Sequence, residues 1–244
     1  WLDVTEDEGD AEYPVVIDGK KLTAEEGAKL WEDLEAALNE MNKLAEPLDP
    51  DQPWLAPDAK KLDAMSTMAW IDTLDVPAAV KRAMWINQTA DNGQDAGKQS
   101  LLGQLAAVKG GQLEKYWTDS EIYRCKGGND SLSRMLADGI GRDRITLELP
   151  VRSVTLKGDH MVVEARDGRV IECDDVVLTA PPPLWKSINF APGLPAAMTP
   201  QMGLNAKYFA HVKARFWEKH EPKQSQYALS DGLINLTWDG TDAQ

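Results

Sequence analysis

Lys207 is the residue whose setting points most directly to chemistry. It lies in the run Leu204–Trp217, which reads as a long strand. Period-2 alternation then puts Asn205, Phe209 and His211 on its face and Ala206, Tyr208, Ala210 and Val212 on the other. An ammonium fixed on such a face offers three hydrogen-bond donors and a charge. On the residues alone, a lysine snorkelling from a strand edge is the simpler account. Gly127-Gly128 forms a turn pair. Thr179-Ala180-Pro181 ends a β-type run where small residues let a backbone approach a ligand. Trp85, Ile86 and Leu102 fall on apolar helix faces, as either core or the wall of an apolar cavity.

Other chemistries are excluded by what the sequence lacks. His160, His211 and His220 have no metal-ligand spacing, so no metal site is expected. There is no Gly-x-Gly-x-x-Gly, no Walker loop and no Gly-x-Ser-x-Gly. Cys125 and Cys173 form no Cys-x-x-Cys and read as reduced structural thiols. A net charge of −14 argues against nucleic acid or an anionic membrane as partner. No apolar run approaches the roughly 20 residues that span a bilayer. The N-terminus, Trp1-Leu2-Asp3-Val4-Thr5-Glu6-Asp7-Glu8, is acidic and unlike a signal peptide. It does not begin with Met, so the chain reads as an internal piece of a longer product.

The elements that must position these residues come in blocks. Tyr13–Lys20 reads as a strand ending in an Asp18-Gly19 turn. Thr23-Ala24-Glu25-Glu26 is a capping box opening a helix with Leu30, Leu34, Leu38 and Met41 on one face, ending before Pro47. Pro47 to Pro57 is a loop. Ser66 caps a short helix through Trp70 and Ile71. Pro77 starts a helix to about Asn87. A further helix runs from about Asp95 to Val108 and stops at Gly110-Gly111. After Tyr123, a helix from Ser131 to about Ile140 precedes β-type runs at 145–149, 151–157, 161–165, 170–173 and 176–179. Gly158-Asp159 and Asp167-Gly168 separate three of these, which predicts a meander. Strand candidates follow at 204–217, 227–229 and 233–238. Blocks rather than alternation favour an α+β fold, a helical region plus mixed β-sheet with a small β-meander unit.

Five segments resemble those of the flavin-containing amine oxidase family, which includes monoamine, polyamine and L-amino-acid oxidases. Pro53-Trp54-Leu55-Ala56-Pro57, with Leu62-Asp63-Ala64-Met65-Ser66 and Trp70-Ile71, resembles its Pro-Trp-x-Ala-Pro … Asp-x-x-Ser … Trp-Leu pattern. Arg124 through Leu132 is similar to its Arg-x-x-Gly-Gly-x-x-x-Leu crossing. Pro150-Val151 with Val154 resembles its Pro-Val-x-x-Ile strand. Cys173 through Pro181 resembles its Ala-Asp-x-Val-Ile-x-Ala-x-Pro strand. Lys207 lies ten residues before Trp217, as the family's flavin-facing lysine does. The segments occur in the family's order.

The resemblance implies that residues 1–123 are the helical part of a substrate domain, 124–183 a β unit of the FAD-binding domain, and 184–244 the sheet part of the substrate domain. It implies FAD as cofactor, a small-molecule amine substrate, and further FAD-binding segments of the same protein as partners. Since the family's dinucleotide glycines lie upstream, this chain alone is not expected to carry FAD or to be active. The implied reaction passes hydride from the amine's α-carbon to flavin N5, leaving an imine, with oxygen reoxidising the flavin to give peroxide. Lys207 would hold a water against N5. The Val151 backbone would meet the adenine end of FAD, near Gly127, Gly128, Thr179, Ala180 and Pro181. Trp85, Ile86 and Leu102 would roof the substrate cavity. A related desaturase or protoporphyrinogen-oxidase-like flavoprotein, and a non-catalytic binding module, stay open at this point.

Overall fold

The computed structural model describes residues 2–3, 11–120 and 122–241; most of the acidic N-terminal run read for targeting lies outside them. The chain divides into two units, Trp1–Gly127 with Gly203–Gln244, and Gly128–Met202.

The first unit begins with β1 (Leu2–Asp3), β2 (Val15–Ile17) and β3 (Lys20–Lys21), and continues with α1 (Ala24–Ala45), α2 (Ala59–Ala64) and α3 (Thr67–Thr73). Then come α4 (Ala78–Asn92), α5 (Leu101–Gly110), α6 (Glu114–Thr118) and β4 (Tyr123–Arg124), which pairs with β1. Asp18 and Gly19 both take positive φ, +53° and +72°, as a two-residue turn between β2 and β3 requires. The capping box forms: Glu26 N–H donates to Thr23 Oγ1 at 3.2 Å, and Thr23 N–H donates to Glu26 Oε2 at 2.8 Å. Leu30, Leu34, Ala37, Met41 and Ala45 make the buried stripe of α1. Ser66 caps α3 through Ala69 N–H, and Ser100 caps α5 through Gly103 N–H.

Two cores result. Val15, Ile17, Leu30, Leu34, Ile71, Met84 and Leu229 join strands to α1, α3 and α4. Met41, Leu48, Leu101, Leu105 and Val108 join the end of α1 to α5.

The second unit holds α7 (Asp130–Ile140), β5 (Val151–Lys157), β6 (His160–Ala165), β7 (Val170–Cys173), α8 (Pro182–Trp185) and β8 (Asn189–Ala191). Strands β5, β6 and β7 form the expected antiparallel meander, and β8 joins parallel to β5, giving the order β7-β6-β5-β8. Returning to the first unit, β9 (Ala228–Ser230) and β10 (Leu236–Thr237) complete a mixed sheet of order β10-β9-β2-β3. The parallel pairing of β9 with β2 ties distant parts of the chain together. The fold is α+β, as expected.

Five expectations on the elements need correction. Leu204–Trp217 is extended chain outside any strand, ending in a 3-10 turn at Phe216–Lys219. A strand exists only with a ladder beside it, and neither edge of the mixed sheet takes this segment in. The run 145–149 is broken where Glu148 takes φ +54°. Past Cys173 the chain leaves the sheet, so 176–179 is no strand; the Trp185 indole instead binds the Ala180 carbonyl at 2.7 Å. The helix expected from Asp95 to Val108 is split into a turn at Ala96–Lys98 and α5. At the break, Gln99 O accepts from Thr67 N–H, and Leu101 N–H donates to Met65 O, both at 2.9 Å. Backbone groups satisfied across the chain no longer need a continuous helix. Helix α4 also runs past the expected Asn87, because its stop is Gly93 in the left-handed region at φ +64°.

Candidate functional site

The segment carrying Lys207 is built from close backbone approaches. A Cβ on Gly203 would fall 2.3 Å from the Gly93 carbonyl oxygen, and one on Gly93 would fall 2.6 Å from Asn205 Nδ2. Glycine at both places lets the segment lie against the end of α4. Lys207 Nζ stands 5.4 Å from the centre of the Trp238 ring, a cation–π contact. Phe209 reaches Gly240, where an added Cβ would meet its ring at 3.7 Å. Asn205, Lys207 and Phe209 each meet a neighbour, although Phe209 stays 75% exposed, beside Leu204 and Tyr208 at about nine-tenths.

An ion pair ties this segment to the chain just after β10. Arg215 Nε lies 2.7 Å from Asp239 Oδ2, and Thr241 N–H donates to Asp239 Oδ1 at 2.8 Å. Burial pushes the Asp239 carboxyl up, but the Thr241 bonds and the Arg215 charge outweigh it and leave the group below its usual range. Lys207 itself is solvent-exposed. Its aromatic neighbour is Trp238 rather than Trp217, which instead packs edge-on with Phe216 at 5.1 Å.

A second clip fixes α4. Arg82 Nε donates to Asp231 Oδ2 at 3.1 Å and its guanidinium lies over the Trp85 ring at 4.7 Å. Asp18 N–H donates to the same carboxylate at 3.0 Å. That backbone bond, with Arg82, holds the Asp231 carboxyl below its usual range despite burial. Trp85 is half-buried against the first core; its indole N–H points to Asp95 Oδ2 at 3.4 Å. Ile86 is fully buried in that core and Leu102 in the second. All three pack against core residues of this unit. A groove of about 220 Å³ lies elsewhere in this unit, walled by Tyr13, Leu22, Gly27 and Trp31, and includes none of the expected site residues.

In the second unit, Val151 opens β5, and Thr179-Ala180-Pro181 follows the meander and leads into α8. Arg166 N–H donates to Pro150 O at 2.9 Å, and the Arg166 guanidinium reaches Ser187 O at 3.4 Å. Trp185, two residues before Ser187, holds Ala180. Gly128, at φ +98°, leads into α7, and Gly127 before it is at +84°. These positions offer backbone amides and carbonyls, small side chains and the Thr179 hydroxyl. Neutral groups of this kind suit an adenine or a ribose. They do not make a pyrophosphate cradle, which the sequence also lacks. Among the described residues no three His, Cys, Asp or Glu gather as a metal site, and no helix is long and apolar enough to cross a membrane.

Sequence reasoning missed Trp238 beside Lys207 and the Arg82–Asp231 pair. Trp238 stood at the end of an expected strand, but nothing local showed what it would face.

Comparison with known proteins places the chain. It belongs to the flavin containing amine oxidoreductase family, whose family model matches residues 5–243. It is 27% identical over 190 residues to the flavin-containing amine oxidase A of Equus caballus, covering 74% of this chain and 36% of that protein. It is 27% identical over 209 residues to the putrescine oxidase of Kocuria rosea, covering 75% of this chain and 44% of that one. The solved cyclohexylamine oxidase of Brevibacterium oxydans superposes with a TM-score of 0.72 at 21% identity, over 96% of this chain and 54% of that one. Putrescine oxidase bound to putrescine gives 0.73 at 21%, over 96% and 55%. At that identity the structural likeness concerns the fold. The chain spans less than half the length of those two curated relatives.

Proposed function

We propose that this chain is the substrate-side part of an FAD-dependent amine oxidase acting on a primary or secondary amine or an amino acid. Residues 1–123 and 184–244 form the substrate domain, and 124–183 contribute to the FAD-binding domain. The observation that carries the reading is the family match across nearly the whole chain. The named relatives are amine, putrescine and cyclohexylamine oxidases, which favours an amine over the substrate of a desaturase.

FAD, when bound, would supply the redox chemistry, a two-electron oxidation of the amine to an imine with oxygen as the final acceptor. The Val151 backbone, with Gly127, Gly128, Thr179, Ala180 and Pro181, holds its adenine end. The helices bearing Trp85, Ile86 and Leu102 keep water from the substrate. Lys207 holds a water through its ammonium donors. Trp238 under the cation fixes its position without neutralising it.

Lys207→Met keeps the stem and removes the charge and donors. In the full protein it folds and binds FAD, and either flavin reduction or reoxidation slows by at least about tenfold, or about 1.4 kcal/mol of barrier. Stopped-flow traces of both half-reactions decide this. Rates both within about twofold of wild type would remove Lys207 from the mechanism.

A further inference from the structure

The helical region of the first unit contains a polar core apart from the residues proposed to hold the flavin. Gln88 on α4, Gln104 on α5 and Thr67 on α3 are 0%, 5% and 0% exposed. Asn92 joins the two helices: its Nδ2 donates to Gln104 Oε1 at 2.8 Å, to Gln99 Oε1 at 3.0 Å and to the Gln88 carbonyl at 3.1 Å. Gln99 Nε2 donates to that same carbonyl at 2.9 Å, and Gln99 O accepts from Thr67 N–H at 2.9 Å. One network therefore links the start of α3, the end of α4, the break before α5 and α5 itself.

Three side-chain atoms of these residues are buried without a hydrogen-bond partner among the described residues: Gln104 Nε2, Thr67 Oγ1 and Gln88 Oε1, whose own NH2 donates to Asn87 Oδ1 at 2.9 Å. Their chemistry is complementary. The first needs an acceptor, the second can serve as either, and the third needs a donor. Exchanging the ends of the Gln104 amide would not help, because it would set its NH2 against the Asn92 NH2. A buried polar atom left unsatisfied is costly, and native interiors meet such demands with ordered water that takes about two to four polar partners.

We infer that Thr67, Gln88 and Gln104 hold an internal water that locks α3, α4 and α5 together. The water accepts from Gln104 Nε2, donates to Gln88 Oε1 and bonds the Thr67 hydroxyl. The inference stands on packing alone and does not depend on the proposed reaction.

Thr67→Val tests it by sign, since valine matches threonine in shape and removes only the hydroxyl. If a water bonds that hydroxyl, the variant loses a satisfied bond and the melting temperature of the full protein falls by about 2–4 °C. If the hydroxyl is bare, its removal relieves a buried polar group, and the temperature stays level or rises; either result overturns the inference. Magnetic relaxation dispersion of 17O-labelled water gives an independent reading on the wild-type protein. A long-lived internal water that Thr67→Val shortens in residence supports the site. A dispersion identical in wild type and variant overturns it.

Discussion

Helix α1 of the first unit buries its apolar stripe from Leu30 to Ala45 in two cores. Helix α7 of the second carries an equally clear stripe, Leu132, Met135, Leu136 and Ile140, and buries none of it: these residues are 56–72% exposed. The sheets differ in the same way. Val15, Ile17 and Leu229 of the mixed sheet are buried, whereas the meander buries Val154, Val162 and Ala165 and leaves Val170 and Ile171 about half-exposed. Both units have good local structure. Stability follows burial rather than amphipathic pattern, so the two should respond very differently to the same kind of substitution.

The largest effect is expected in the first unit. Leu105 is fully buried, and Leu105→Ala removes apolar contacts and leaves a cavity in the second core. Urea unfolding should show a loss of about 2–5 kcal/mol. Val154→Ala in the meander should cost about 1–2 kcal/mol, since less apolar surface returns to water. Equal losses would contradict the contrast between the units.

The next effect concerns how the Lys207 segment is attached. Gly93→Ala forces a side chain into left-handed backbone and against the Asn205 amide. It should cost about 1–2 kcal/mol. Adding Asn205→Ala should recover part of the loss, the part due to the clash, while the backbone term stays. A double-mutant cycle without coupling would show that the segment does not rest on α4.

Much of the fold was legible in the sequence where the cause is local. The capping box at Thr23, the Asp18-Gly19 turn, the Ser66 cap and the meander depend on residues a few positions apart. What was not legible depends on partners far along the chain. Leu204–Trp217 has the alternation of a strand, but a neighbour decides whether a strand forms. The parallel pairing of β9 with β2 and the addition of β8 beside β5 carry no local signal. The site divides similarly: Lys207 could be chosen from its register, but its contact with Trp238 could not. The Arg82–Asp231 pair spans 149 positions and left no pattern to read.

That pair gives a smaller, pH-dependent effect. The Asp231 carboxyl is held below its ordinary value of 3.8, first by Asp18 N–H and then by Arg82. A depressed folded pKa means the stabilisation is present above the unfolded value and is lost as pH falls through the folded one. Stability of the first unit should therefore fall on acidification below about pH 4, and Asp231→Asn should flatten that slope. Unfolding curves taken at successive pH values check it, and an unchanged slope would assign the acid sensitivity to other carboxylates.

The smallest effect belongs to α7, and it sharpens the comparison most. Leu136 is 59% exposed on a helix with no buried residue. Leucine and glutamine have nearly the same helix propensity, so Leu136→Gln changes the local preference little. Little apolar surface is returned to water, because most of it is already there. The change in unfolding free energy of this chain should stay within about 0.5 kcal/mol. Leu34 on α1 has the same residue type and helical setting but is 3% exposed, and Leu34→Gln should be strongly destabilising, since it also buries an amide. Solubility should move the other way: Leu136→Gln shrinks an exposed apolar stripe and should raise the concentration at which the chain aggregates. Light scattering beside urea unfolding reads both quantities. A loss at Leu136 comparable to that at Leu34 would mean that the α7 stripe is covered in solution, and the contrast between the two units would fail there.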